Sequence, residues 1–246
     1  MNKNRKILMW LCISIAVIAC GYIVYHSVTK EKNLTIYEVL KKDNIIPQKE
    51  RTKEDEIPID FEKLWEINPE IYAWIEIPGT DISYPIVQRW GDDSYYLNHT
   101  IDGKKGYPGS IYTEGMNHQD FRDFNTAVYG HDMKDGSMFK GLHNYEDETF
   151  LKEHPEVVIY TPKKIFRYEI FAAIVYDDRH VLNTFRYDLK EERQRFLDSV
   201  YEARDLRNTY REDITVSPED CILTLSTCMG NESDKRFLVE AVLRDE

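Results

Sequence analysis

Cysteine is scarce in this chain. Four occur in 246 residues, and Cys12 and Cys20 fall inside an uncharged N-terminal run, leaving Cys221 and Cys228 in the remainder. Seven steps of extended chain would set those two about 23 Å apart on opposite faces of a strand, far outside disulfide reach. A disulfide-stapled fold is therefore excluded. CxxC, HExxH and any dense cluster of histidines with carboxylates are missing, which removes the usual zinc sites. GxxxxGK[ST] and GxGxxG are missing too, so nothing supports nucleotide binding. Positive charge is in deficit: 32 Lys and Arg stand against 44 Asp and Glu, a net of −12. Non-specific nucleic-acid binding needs the opposite balance. Neither internal repeats nor low-complexity segments occur, and no metal, cofactor or nucleic-acid partner is expected.

Charge is also missing from Ile7 to Tyr25. As a helix this run would span about 28 Å, close to a bilayer's hydrocarbon core. Lys3, Arg5 and Lys6 precede it, so the positive-inside rule predicts a cytoplasmic N-terminus and an extracellular remainder. Val17-Ile-Ala-Cys20 resembles a lipoprotein processing box, which would make Cys20 a lipidated residue. The apolar run continues through Tyr25, longer than a cleaved segment needs, and this favours an uncleaved anchor in the cell membrane. The expected organisation is a tail over residues 1–6, a single-pass anchor over 7–25, and a stalk over 26–56. Within that stalk a short helix is expected at Thr35–Leu40, with linker from Lys41 onward. A folded domain over 57–246 follows.

That domain reads as mainly β. Hydrophobic content of 42% with 17 tyrosines suits a globular, strand-rich body. An N-cap at Asp60 predicts a helix through Trp65, extended by Pro69–Trp74. Strands are predicted at Ile75–Ile77, Ser83–Gln88, Ser110–Thr113 and Asn125–Tyr129, and a hairpin from Glu156–Tyr160 and Phe166–Tyr176. Phe139–Phe150 reads as helical pieces. Leu189–Arg204 is the clearest helix, with Phe196, Leu197, Val200 and Tyr201 on one stripe. Asp220–Cys228 and Phe237–Leu243 close the domain as strands. Many short strands with few helices predict a closed or nearly closed β-barrel with insertions.

Alternation along the Cys221–Cys228 run places Ile222, Thr224, Ser226 and Cys228 on one face. A thiol at a strand tip on the more polar face is placed to be reached. A thiol is a good nucleophile near neutral pH when a base or cation favours the thiolate. His131 mirrors it, following another strand whose last residue is Tyr129. Arg236 lies across a polar loop and opens the next strand, where a guanidinium can bind a carbonyl or developing oxyanion. The other six histidines, at 26, 99, 118, 143, 154 and 180, lie in loop-like contexts and are given no role.

Thr224-Leu-Ser-Thr-Cys228 with Arg236 resembles the TLxTC signature and downstream arginine of sortases, membrane-anchored cysteine transpeptidases of Gram-positive bacteria. The likeness to class B is wider. It includes Asn68-Pro69, Ile77-Pro-Gly-Thr80, Asp81 to Gln88, Tyr95-Tyr-Leu97, Tyr129-Gly-His131, Asp135-Gly-Ser-Met-Phe139 and Tyr160-Thr-Pro162. It extends from about Asp60 to Leu243, and the helix before the Cys strand resembles the class B insertion. The resemblance implies an eight-stranded barrel with Cys228 as nucleophile, His131 as acid/base partner and Arg236 as oxyanion stabiliser. The implied reaction cleaves a C-terminal sorting motif after Thr and passes the acyl group to a cell-wall or pilin amine. Implied partners are surface proteins bearing that signal, and a peptidoglycan precursor or pilin subunit as acceptor. Ser226 and Thr227 are weaker candidates for lining the substrate site. Met229 and Gly230 follow the cysteine, so an acidic helper would have to be Glu232 or Asp234. Two alternatives stand beside this reading: a thiol endopeptidase that releases its product to water, and a catalytically silent binding barrel.

Overall fold

The computed structural model describes residues 3–46 and 56–245. Helix α1 runs unbroken over Lys3–Asn44. Its apolar part holds a window of mean hydropathy 2.0 with none of it buried, long and apolar enough to cross a membrane. The short helix expected at Thr35–Leu40 is the end of this longer one, and it does not stand off as a stalk. Tyr37, Leu40 and Asn44 are buried against the domain. The Tyr37 hydroxyl donates to the Gly109 carbonyl and accepts from the Ile101 N–H at 3.2 Å. Helix continues through Lys41–Asn44, where linker was expected. Ile46 N–H then donates to the Pro58 carbonyl at 2.6 Å. The rest of the expected linker, residues 47–55, lies outside the described residues.

Helix α2 covers Phe61–Ile67, capped by Asp60, whose carboxylate accepts from the Lys63 N–H at 3.2 Å. Such a cap contributes about 1 kcal/mol. The expected continuation over Pro69–Trp74 does not form. Asn68 sits extended at φ −154°, ψ 112°, as a residue before proline prefers. Its Oδ1 accepts from the Glu70 N–H at 2.9 Å, which turns the chain into strand β1 at Ile71–Glu76.

The remaining strands are β2 (Ser83–Val87), β3 (Ile111–Thr113), β4 (Asn125–Tyr129), β5 (Glu156–Tyr160), β6 (Ile165–Asp177), β7 (Thr209–Tyr210), β8 (Ile222–Met229) and β9 (Glu232–Asp245). Their order is β5-β1-β2-β3-β4-β8-β9-β6-β7, and β5 also pairs with β6. That extra pairing closes eight strands into the expected barrel and leaves β7 as a two-residue appendage. Pairing is antiparallel except for β2 with β3 and β4 with β8.

Two hydrophobic cores result. One fills the barrel and includes Trp74, Phe139, Leu223, Leu225, Phe237 and Val239. The other lies on the outer face, where Ile222, Leu238 and Val242 meet Val181, Phe185, Phe196, Leu197 and Val200. Those five belong to an excursion between β6 and β7 that carries helices α4 (Val181–Thr184) and α5 (Lys190–Glu202), α3 being the short helix Glu148–Glu153. Cover on both faces explains why Ile170–Tyr176 of β6 is buried without alternation.

Glu240 is sealed beneath this excursion. Its Oε2 lies 2.7 Å from Thr224 Oγ1, and Oε1 has no partner among the described residues. Thr224 Oγ1 is also 2.9 Å from Asn125 Oδ1, and Asn125 Nδ2 donates to the Tyr187 hydroxyl at 3.2 Å. Burial pushes the Glu240 carboxyl up to about 8. The neutral acid donates to Thr224 and leaves that hydroxyl proton for Asn125. The raised value belongs to the fold, so Glu240 imposes no penalty below the carboxyl's ordinary value of 4.5. Stability falls as pH rises from there toward 8, then levels. Glu240→Gln removes that titration. Thermal unfolding from pH 5 to pH 9 is expected to show the variant gaining on the parent with rising pH; a constant difference would contradict it.

Candidate active site

Strand register builds the site. β4 and β8 run parallel with Tyr129 opposite Ser226. Two further bonds extend that pairing past the end of β4. Gly130 N–H donates to the Ser226 carbonyl at 3.1 Å, and Thr227 Oγ1 donates to the Gly130 carbonyl at 2.8 Å. One step on, His131 stands level with Cys228. On the other side, antiparallel β9 pairs Arg236 with Cys228. Strands lie about 4.8 Å apart and side chains repeat every second residue, so all three share one rung and one face.

That face is the outer one, at the end the α4–α5 excursion leaves open. Cys228 is exposed at a position where every other residue of β8 is buried. A cavity of about 270 Å³ adjoins the rung. Tyr112 and Tyr129 stack on its floor with centroids 5.4 Å apart. Leu97 forms one wall, and the 177–181 segment that follows β6 forms another. The Tyr129 hydroxyl is buried without a partner among the described residues, and burial pushes it far up from the ordinary phenol value. His180 Nε2 lies 3.0 Å from Glu114 Oε1 and latches the 177–181 wall to the end of β3. Burial raises the Glu114 carboxyl, and His180 partly offsets this.

The polar contacts of the rung define which atoms are available. His131 Nε2–H donates to the Leu97 carbonyl at 2.6 Å. A carbonyl only accepts, so Nδ1 is the nitrogen left to exchange a proton. Tyr107 packs beside the ring at 5.5 Å between centroids. Arg236 Nη1 donates to the Lys235 and Ser233 carbonyls at 2.8 and 3.1 Å. The rest of its guanidinium has no protein acceptor among the described residues.

Ser226 and Thr227 both line the cavity and are buried. The Thr227 hydroxyl is occupied in joining β8 to the end of β4. Glu232 is held by Arg207 at 2.6 Å, and Asp234 is exposed. Sequence reasoning missed His180, which lines the cavity, and His143, whose Nε2 lies 3.1 Å from the Cys228 carbonyl. Their local contexts carry no periodic signal. The Leu97 contact was invisible because a main-chain carbonyl makes it.

A family model of the sortase domain matches residues 75–244. The sortase B of Listeria monocytogenes is 37% identical over 175 residues, covering 70% of this chain and 68% of that protein. The sortase B of Staphylococcus aureus is 28% identical over 245 residues, covering 97% and 96%. Among solved structures, sortase B from B. anthracis superposes with a TM-score of 0.73 at 30% identity, covering 88% of this chain and 98% of that one. A barrel that puts a cysteine, a histidine and an arginine on one rung, matched by these relatives over most of its length, belongs to the sortase family, class B, whose members are cysteine transpeptidases acting on sorting signals.

Proposed function

We propose that Cys228 is the nucleophile, His131 the acid/base group and Arg236 the oxyanion stabiliser of a reaction that cleaves a sorting motif after Thr. The observation that carries this reading is the shared rung of β4, β8 and β9 beside an open cavity. The Cys228 thiolate, its proton having passed to His131 Nδ1, attacks the Thr carbonyl carbon, and the carbonyl π electrons move onto oxygen. The guanidinium of Arg236 donates to that oxygen. As the tetrahedral species collapses, the C–N bond breaks and His131 Nδ1–H gives its proton to the leaving amine. A thioester and a neutral imidazole remain. An incoming primary amine then attacks the thioester and loses a proton to Nδ1, and sulfur leaves as the thiolate. One amide replaces another. Water follows the same path to a free acid, and the thioester is kept for an amine when amine capture is faster.

The acceptor in this reading is an amine of the cell wall or of a pilin subunit, and the donor is a surface protein with a C-terminal sorting signal. Helix α1 serves as the membrane anchor, with Lys3, Arg5 and Lys6 on the cytoplasmic side and the barrel outside. Burial of Tyr37 and Leu40 against the domain supports a short, stiff connection between membrane and barrel.

Incubation with a panel of Thr-containing sorting-motif peptides, followed by mass spectrometry of the intact protein, is expected to show an acyl adduct on Cys228. Added amine should divert product from the free acid to the amide; an unchanged product ratio would favour an endopeptidase. Cys228→Ala is expected to abolish adduct and turnover while the far-UV CD spectrum stays that of the parent. Arg236→Lys should lower kcat about tenfold or more, because an ammonium cannot reproduce the planar fork. Full activity in that variant would remove the role assigned to Arg236.

A further inference from the structure

Cys228 sits where the β8–β9 ladder loses its regularity. It pairs with Arg236, yet the next pair is Met229 with Glu232, so residues 233–235 of β9 bulge without a partner on β8, although Lys235 still pairs with Asp177 of β6. Next to such a break, main chain lacks the run of rungs that holds a strand residue in place. The Cys228 carbonyl meets a side chain here: His143 Nε2 lies 3.1 Å away.

His143 comes from the 3-10 turn Phe139–Glu146 and packs on the core side of the sheet. Its ring stacks on Phe237 at 4.9 Å between centroids and 19° between planes, with 13% of the side chain exposed. Nδ1 lies 2.8 Å from Glu146 Oε1. Both ring nitrogens therefore face oxygen atoms. The Asp132 carboxylate lies 3.7 Å from Nε2 and 3.2 Å from Lys140 Nζ. Asp132 directly follows His131, so one partly buried ring touches the cysteine's own carbonyl and approaches the neighbour of the histidine.

We propose that His143, oriented by Glu146, is a positioning residue for the transpeptidase reaction. It holds the main chain of Cys228 from the core side, and with Asp132 it keeps the thiol and the His131 imidazole in register across the end of the sheet. The inference rests on the assignment of Cys228 as nucleophile. A residue acting this way changes the reacting geometry and leaves the substrate cavity alone, so its loss lowers kcat without raising KM.

The test compares His143→Leu, His143→Gln and Glu146→Ala in the full chain, using a peptide that acylates Cys228 in the panel above. The rate of Cys228 alkylation by iodoacetamide and the thermal midpoint are measured in parallel. His143→Leu is expected to lower kcat about tenfold and to slow alkylation, with KM unchanged. His143→Gln keeps a donor near Nε2 and should recover kcat to within about threefold of the parent. Glu146→Ala, at a half-exposed position, should fall between the two. Parental kcat in His143→Leu, or no recovery in His143→Gln, would overturn the proposal. Should His143→Leu not fold, parental kcat in Glu146→Ala overturns it instead. Turnover persisting in Cys228→Ala would sink the nucleophile assignment itself, an outcome distinct from normal kinetics in the His143 variants alone.

Discussion

Parallel pairing of β4 with β8 is the constraint on which the site depends. Tyr129 opposite Ser226 sets the register, and the bonds of Gly130 with Ser226 and Thr227 carry it past the end of β4. A slip of one residue would turn either His131 or Cys228 to the other face. Nearly a hundred residues separate the two strands in the chain, and bringing such distant points together is less costly than it looks. Closure entropy grows with the logarithm of loop length, about 0.6 kcal/mol for each doubling. Barrel closure supplies the compensation, because both strands bury their inner faces in one core.

The outer face is divided between stability and chemistry. Toward one end of β8 and β9, α4 and α5 cover Ile222, Val242 and Leu238 and form the second core. At the other end the cover stops, and the same excursion, through residues 177–181, becomes a cavity wall. Glu240 lies under the covered part, four rungs from Arg236 on β9 and on the same face. Its chain of contacts through Thr224 and Asn125 to Tyr187 links barrel to excursion with polar groups in a place otherwise apolar. An unpaired buried carboxyl is costly when charged, which is why this one is held neutral.

Helix α1 reaches the same neighbourhood through its C-terminal half. Asn33 Nδ2 donates to the Tyr107 carbonyl at 2.7 Å, and Tyr37 bonds Gly109 and Ile101. Tyr107 packs beside His131, and the Leu97 carbonyl at the other end of this loop accepts from its ring. The helix that carries the apolar run therefore supports the loop that orients the imidazole.

Local pattern was enough to recover much of this. Strand β4 at Asn125–Tyr129, the hairpin of β5 and β6, and helix α5 were legible because a buried face imposes a period of 2 or 3.6 on the residues that make it. The faces of β8 were legible for the same reason, and the signature around Cys228 with Arg236 marked the site. Pattern failed where a local preference lost to its context. Pro69–Trp74 carries helix-compatible residues, yet Asn68 before proline and the pairing with β2 made it strand. Strand β9 extends beyond Phe237–Leu243 at both ends because β6 and β8 flank it. What the order of residues determined unaided was the set of elements, their inward faces and the candidates for the reactive groups, all properties of neighbours within a few positions. Only the folded chain decided that His131, Cys228 and Arg236 share a rung, that Leu97 and His143 hold two of them, and where the cavity opens. Those facts depend on the register between strands far apart in the chain and on main-chain carbonyls, which every residue carries alike and no side-chain pattern distinguishes.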